Sequence, residues 1–507
     1  MLIFNPNCLL KKMEHSLSHS NRDNFKSPWT FVMAAIGSAV GLGNLWRFPY
    51  LAYKHGGSAF FVAYITCIII IGLPFLISEV GLGQISRKAA PQAIALAGNS
   101  KKYSIVGWLA VVISFIILTY YVVITSWTAN FIVHSFTQPW VGSSSTFFYQ
   151  SFLHLSNHIN QIGNLNLPVI IGTVVTLLLL FIGIYKGTSG ISVIGNWITP
   201  IPFILLIILL INSVCLSGAS IGLKALLIPK WGYLKSIDLW FDAASQVLFS
   251  LSLAFGVMFA YGSLLNKNIN IKKLAFVVIF GDTFAAVLGG IIIFSVLGHM
   301  ALIQNISISN VVQGGIGLAF VIIPKALSLL PYGSKLFSII FYISLFLLAY
   351  TSIVSLFESI LASILDSKFK VNRAYTLLIL IVLISSISIT YSFDNGLYLL
   401  DIVDHFVSGY GILIVSILEC IMIGWIYGAE KLRYQLKKQS RLSLSFLFNI
   451  SIRIIIPLTL LVLIFEKLKT DISFPYENYP IEFLMIFGCG SLILLVVLAK
   501  ILQKVFD

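Results

Sequence analysis

About twelve stretches of this chain are long and apolar enough to cross a lipid bilayer, and that recurrence constrains its fold more than any other feature. They run near 29–53, 58–82, 103–134, 167–185, 191–214, 241–263, 273–300, 333–366, 374–392, 397–427, 446–466 and 481–503. In hydrocarbon the backbone must satisfy its own N–H and C=O groups, so such stretches are helices. The expected fold class is an all-α polytopic membrane protein with about 12 transmembrane helices. Only 10% of the 507 residues are charged and 58% are hydrophobic, which excludes a set of soluble domains.

The net charge of +14 would suit a nucleic-acid partner, but its distribution argues against one. With the N-terminus in the cytoplasm, 22 of the 32 Lys and Arg fall in cytoplasmic segments and 8 in external ones, with Arg47 and Arg453 inside helices. That is the positive-inside pattern, so the charge records topology within the bilayer. An even number of spans returns the C-terminus to the cytoplasm, where Lys500 and Lys504 fit. Lys437, Lys438 and Arg441 make the densest basic loop, expected at the inner leaflet. Residues 1–28 are polar and lack the apolar core of a cleavable signal. The five cysteines have no CxxC spacing, so neither a metal site nor a disulfide framework is suggested. Of the long external connections, 301–332 carries Gly314, Gly315, Gly317 and Pro324 and reads as a re-entrant lid or a loop.

The first apolar stretch is badly made for a plain membrane helix. Its second half, GSAVGLGNLWRFPY (37–50), holds three glycines, Asn44, Arg47 and Pro49. A guanidinium near the bilayer centre costs roughly 2.5–3.5 kcal/mol on insertion scales, so it should face protein or a watery cavity. A break near Val40–Gly43 would free carbonyls and N–H groups to hold something small and charged. The bland reading is close helix packing by the pair Gly37 and Gly41. With Asn44 and Arg47 following, a binding site is the better reading.

The sixth stretch echoes the first, with Ser250, Ser252, Gly256 and Gly262 inside an apolar span. Interrupted helices at corresponding places in two halves point to an inverted repeat of five plus five helices meeting at a midplane site. Hydroxyls in such helices often bond only to the carbonyl one turn back. Asp282, in FGDTFAAVLGG, is harder to dismiss, since a carboxylate at membrane depth must be paired, protonated or bound to a cation. Thr351 and Ser352 in the eighth stretch add hydroxyls, and oxygens of these kinds suit a hard cation.

These residues resemble the neurotransmitter:sodium symporters, in particular their bacterial amino-acid transporter branch. GSAVGLGNLWRFPY is close to the family's first-helix signature, SLSLAFG resembles its broken sixth helix, YTSIVSLFES its eighth and LLDIVDHF its tenth. The likeness runs from about Arg22 to the last helices. It implies a core at 29–427 between a cytoplasmic segment at 1–28 and two further helices at 428–507, in the inner (plasma) membrane of a bacterium. It also implies two sodium sites. One would use carbonyls of Gly37, Val40 and Leu348 with the hydroxyls of Thr351 and Ser352. The other would use the Ala39 carbonyl, the Asn44 amide oxygen, Ser250 and Asp282. Most relatives have asparagine at the Asp282 position. Animal members use a nearby chloride, with ligand positions corresponding to Tyr64, Gln246, Ser250 and Ala286. A carboxylate at Asp282 would supply that negative charge, so the resemblance with this departure predicts chloride-independent transport.

The substrate expected from the resemblance is a neutral amino acid with a hydrophobic side chain. Amine-transporting relatives carry an aspartate where this chain has Gly41. A free amino acid brings its own carboxylate, which would join the Asn44 sodium site and meet Gly41, Gly43 and Tyr121. The ammonium would face carbonyls near Ala39, Phe249 and Ser252, and the side chain would meet Ser38, Ile117, Tyr121, Phe249, Phe255, Ser352 and Leu356. Arg47 and Asp404 match an external gate pair, and Arg22 and Asp366 an internal one. Phe25 and Leu264 replace a usual tryptophan and tyrosine, which predicts a looser inner gate. The implied activity is sodium-coupled symport by alternating access. Its rivals are a proton-coupled carrier and a transport-incompetent sensor; with no HExxH and no GxSxG, an enzyme is not expected.

Overall fold

The computed structural model describes residues 24, 25, 27–310, 314–369, 371–440 and 444–507, and it is all-helical. Among the described residues, ten helices are long and apolar enough to cross a membrane: Ser58–Ser86, Lys101–His134, Leu167–Ile184, Thr188–Val214, Ile271–Gln304, Ser334–Leu365, Arg373–Ser392, Gly396–Lys438, Phe446–Asn478 and Ile481–Phe506. Two interrupted helices complete the set of twelve. The first span is built from Pro28–Ala39, Leu42–Leu45 and Arg47–Lys54, and the sixth from Ile237–Ser250 and Val257–Ser263. The chain is thus a polytopic membrane protein whose core carries broken first and sixth helices, as the polar residues of those stretches predict.

Burial separates the core from the lipid-facing shell. The third span has 89% of its apolar window inside the protein and the eighth 72%, whereas the ninth and twelfth have 28% and 22%. Every residue from Thr30 to Ala39 in the first span is buried. The interrupted helices therefore run through the middle, braced by the third and eighth, and the ninth and twelfth pack outside.

The second and sixth spans cross with backbone against backbone. A Cβ on Gly83 would overlap the carbonyl oxygen of Phe259, and a Cβ on Gly262 would overlap that of Val80. Glycine at both places lets the helix axes close to a distance no larger residue permits. Within 301–332, residues Gly315–Ser328 form a short buried helix rather than an open loop. Its Phe320 stacks on Phe148 at 5.2 Å and meets Trp127 and Trp46 at 5.7 and 6.2 Å.

Candidate functional site

The first span breaks at Val40 and Gly41, whose backbones are extended (φ −82°, ψ 102° and φ −128°, ψ −162°). The helix restarts at Leu42, where the Asn44 side-chain oxygen accepts the Gly41 N–H at 3.0 Å and the Tyr121 hydroxyl accepts the Leu42 N–H at 3.2 Å. The sixth span breaks between Ser250 and Val257. Ser252, Ala254 and Gly256 there have φ of +52°, +63° and +70°. Two non-glycine residues in this region cost of order 1–3 kcal/mol each, and they persist because the surroundings dictate them. The Ala254 N–H donates to the Glu79 carboxylate at 2.8 Å, while the Phe255 carbonyl accepts from Ser114 at 2.7 Å and Ser359 at 2.8 Å. The second, third and eighth spans thereby satisfy backbone groups that hydrocarbon could not. The two breaks also hold each other, because the Ser252 hydroxyl donates to the Ser38 carbonyl at 3.0 Å and the Ser38 hydroxyl to Ser252 Oγ at 2.9 Å.

Asp282, fully buried on the seventh span, lies against both breaks. Its Oδ1 accepts from Ser250 at 2.6 Å and from Asn44 Nδ2 at 2.8 Å, and its Oδ2 accepts from the Tyr64 hydroxyl at 3.1 Å. Among the described residues no basic side chain comes within 4.0 Å of it. Gln246, also fully buried, leaves both ends of its amide without a partner, as does the Thr283 hydroxyl. Asn44 does not present its oxygen to Asp282. A carboxylate only accepts, so the amide turns its NH2 to Asp282 and its oxygen to the Gly41 N–H.

On the eighth span, Thr351 and Ser352 donate back to the Leu348 carbonyl at 3.0 and 3.2 Å, and Ser352 Oγ also lies 3.4 Å from the Ser38 carbonyl. These are the self-capping bonds of the bland reading, made beside the first break. Gly37 abuts Thr351, since a Cβ on the glycine would stand 3.2 Å from Thr351 Cβ.

Between the breaks lies a cavity of about 380 Å³ including its mouth. Ala39, Asn44, Ser250 and the glycines 41 and 43 form its polar end. Ser38, Ser252, Ser352 and Tyr121 bring hydroxyls, and Ile117, Phe249, Phe255 and Leu356 form the apolar wall. All eleven residues expected around the substrate line this one space, together with Asn44 and Ser250 of the expected sodium site. Gly41 sits close to the wall: a Cβ there would stand 2.9 Å from Ser352 Oγ and 3.1 Å from the Tyr121 hydroxyl, so a larger residue requires these side chains to shift.

The gate residues are less simply placed. Arg47 and Asp404 do not pair within 4.0 Å. The Arg47 guanidinium instead donates to Ser245 at 3.0 Å and lies 5.5 Å from the Phe249 ring centre, while Asp404 accepts from the Tyr120 hydroxyl at 2.5 Å. Each finds another partner within hydrogen-bond distance. Arg22 lies outside the described residues. Asp366 accepts from the Ala89 N–H at 2.7 Å and lies 3.7 Å from Lys88 Nζ. Phe25 and Leu264, at the inner-gate positions, lie against each other. Both are buried, the Phe25 N–H donates to the Leu264 carbonyl at 3.0 Å, and the Phe25 ring meets Tyr261 edge-on at 6.0 Å.

Glu79 and Tyr120 are the residues sequence reasoning missed. Glu79 carried a signal, being an acid inside the apolar second stretch, but its partner, the Ala254 N–H, lies 175 positions away.

Two interrupted helices meeting at a buried carboxylate and a small cavity define a secondary transporter of the inverted-repeat class. Its relatives agree. A profile of the Sodium:neurotransmitter symporter family matches residues 22–147 and 141–505, and the chain belongs to that family, whose members are transporters and not enzymes. An uncharacterized sodium-dependent transporter of Methanocaldococcus jannaschii is similar to it, 34% identical over 492 residues, covering 96% of this chain and 99% of its own. A creatine transporter of Torpedo marmorata is 30% identical over 439 residues, 79% of this chain and 71% of its own. The sodium- and chloride-dependent creatine transporter 1 of Homo sapiens is 29% identical over 455 residues, 81% of this chain and 71% of its own.

Proposed function

We propose that this protein is a chloride-independent sodium symporter that imports a neutral amino acid with an apolar side chain. The observation that carries the reading is Asp282, a buried carboxylate joined to Asn44 and Ser250 at the polar end of the cavity. A cation between these oxygens would meet a full negative charge supplied by the protein itself. Sodium would take the Ala39 carbonyl, Ser250, Asp282 and a re-turned Asn44 amide oxygen. A second sodium would take the carbonyls of Gly37, Val40 and Leu348 with Thr351 and Ser352 once those hydroxyls release Leu348. The substrate carboxylate joins the Asn44 site, and the apolar wall takes the side chain. Sodium and substrate that complete one coordination shell each raise the other's affinity, which couples their transport.

Alternating access follows from rocking of the first, second, sixth and seventh spans against the rest of residues 29–427, with 428–507 accessory. Arg47 and Asp404 close the outside, and Arg22 and Asp366 the inside. Both termini face the cytoplasm of a bacterial inner membrane. The test is uptake into proteoliposomes of a panel of neutral amino acids, with creatine included because of the named relatives, under a sodium gradient and then under a proton gradient alone. Sodium-driven accumulation of an apolar amino acid in chloride-free buffer is expected. Proton-driven uptake would replace both sodium sites, and saturable binding without accumulation would make the protein a sensor.

A further inference from the structure

The tenth span does not simply end. Gly428, with φ of +93°, turns the chain out of it, a conformation that glycine adopts without strain. The twelve-residue helix Ala429–Ser440 follows, and it is two-faced. Leu432 and Leu436, one turn apart, are fully buried. Leu436 rests on the second span, where a Cβ on Gly81 would come 3.1 Å from its Cδ1. The other face exposes Lys431, Tyr434, Lys437 and Lys438, with Arg433 half-buried beside them.

The single acid of this helix, Glu430, is already answered within the protein. Arg453 on the eleventh span grips both its oxygens, one at 2.5 Å, and Asn449 donates to it at 3.2 Å. Lys431, Arg433, Lys437 and Lys438 therefore stand as four cations with no carboxylate of their own helix to neutralise them. Just before the turn, Trp425 is 61% exposed and its indole N–H donates to the Arg453 carbonyl at 3.1 Å. Exposed tryptophan and tyrosine at the ends of membrane helices mark the headgroup level. Trp425 and Tyr434 bracket the basic face at that level. A cationic amphipathic helix held there matches a layer of anionic headgroups in charge and in depth.

We propose that the exposed face of Ala429–Ser440 docks anionic phospholipid headgroups, and that lipid held there steadies the second span through Leu436. The docking is independent of the transport reading. Its effect on transport rests on that reading, in which the second span moves.

The full-length protein is reconstituted in phosphatidylcholine vesicles with or without phosphatidylglycerol, and labelled with a photoactivatable phosphatidylglycerol mapped by peptide mass spectrometry. Labelling of the peptide spanning 429–438 is expected, competed by phosphatidylglycerol but not by phosphatidylcholine or inorganic phosphate. Each basic residue near an anionic surface strengthens attraction roughly fivefold, so the triple variant Lys431→Gln, Lys437→Gln, Lys438→Gln should lose labelling by more than about tenfold. Equal labelling of the triple variant, or equal competition by phosphatidylcholine, would overturn the docking. Competition by inorganic phosphate would make the site an anion site rather than a lipid one. Phosphatidylglycerol should also raise uptake by the wild type and not by the triple variant. Selective labelling with no lipid effect on wild-type uptake would overturn the coupling to the second span alone.

Discussion

Replacing Asp282 by asparagine tests the charge logic of the site most directly. The two side chains are nearly isosteric, so the packing around Ser250, Asn44 and Tyr64 is kept and the negative charge is removed. A cation coordinated beside Asn44 and Ser250 would lie roughly 4 Å from the carboxylate centre, where two unit charges attract by about 4 kcal/mol at an effective dielectric constant near 20. The amide dipole of the replacement and relaxation of the surrounding donors return part of this, leaving a net loss of about 2–3 kcal/mol, or roughly 30- to 150-fold in sodium half-saturation. The loss should appear in chloride-free buffer. Chloride, seated near Tyr64 and the unpartnered Gln246 amide, should restore most of it. The assay is sodium-dependent substrate uptake in proteoliposomes, titrated with sodium gluconate and then with sodium chloride. Two results would refute the reasoning: a wild type that requires chloride, or an Asp282→Asn variant with the wild-type sodium curve in gluconate.

Asn44→Ala should weaken sodium and substrate binding together, by about tenfold or more each, because one oxygen is shared between them; equilibrium binding of each in the presence of the other checks this. Thr351→Ala should raise the sodium concentration needed for uptake while leaving substrate affinity at saturating sodium near the wild-type value, read from paired titrations. Gly41→Ala should abolish uptake, since its Cβ would press on Ser352 Oγ and the Tyr121 hydroxyl, and a thermal-shift measurement should show it folded. Gly83→Ala should instead lower the melting temperature, reflecting overpacking worth about 1–3 kcal/mol where the second and sixth spans touch.

The first break was legible because Gly37, Gly41, Gly43, Asn44, Arg47 and Pro49 together cannot make an ordinary membrane helix. Asp282 was legible for the same reason: a lone acid in hydrocarbon demands a partner. The sixth break was only half visible. Gly256 signals it, but Ser252 and Ala254 adopt positive φ under constraint from Ser38, Glu79 and neighbouring spans, and such constraints are tertiary. Side-chain direction was not legible at all. Arg47 turns to Ser245 and Phe249, Asp404 turns to Tyr120, and Asn44 turns its NH2 to Asp282, each choice depending on residues remote in sequence. The helix at Gly315–Ser328 was hidden among turn-forming glycines, and its aromatic partners come from other spans.

The crossing of Gly83 and Gly262 limits how this molecule can work. Interfaces lined by long side chains tolerate sliding, because rotamers rearrange to follow the motion. Where carbonyl meets bare Cα there is nothing to rearrange, and even a small shear must either separate the helices or drive backbone atoms together. The halves of the second and sixth spans that carry Gly83 and Gly262 are in effect spliced into one lever. Any rotation applied to one is delivered to the other undiminished, and the bending must be absorbed at the two points where the ladder is already open, Val40–Gly41 and Leu251–Gly256.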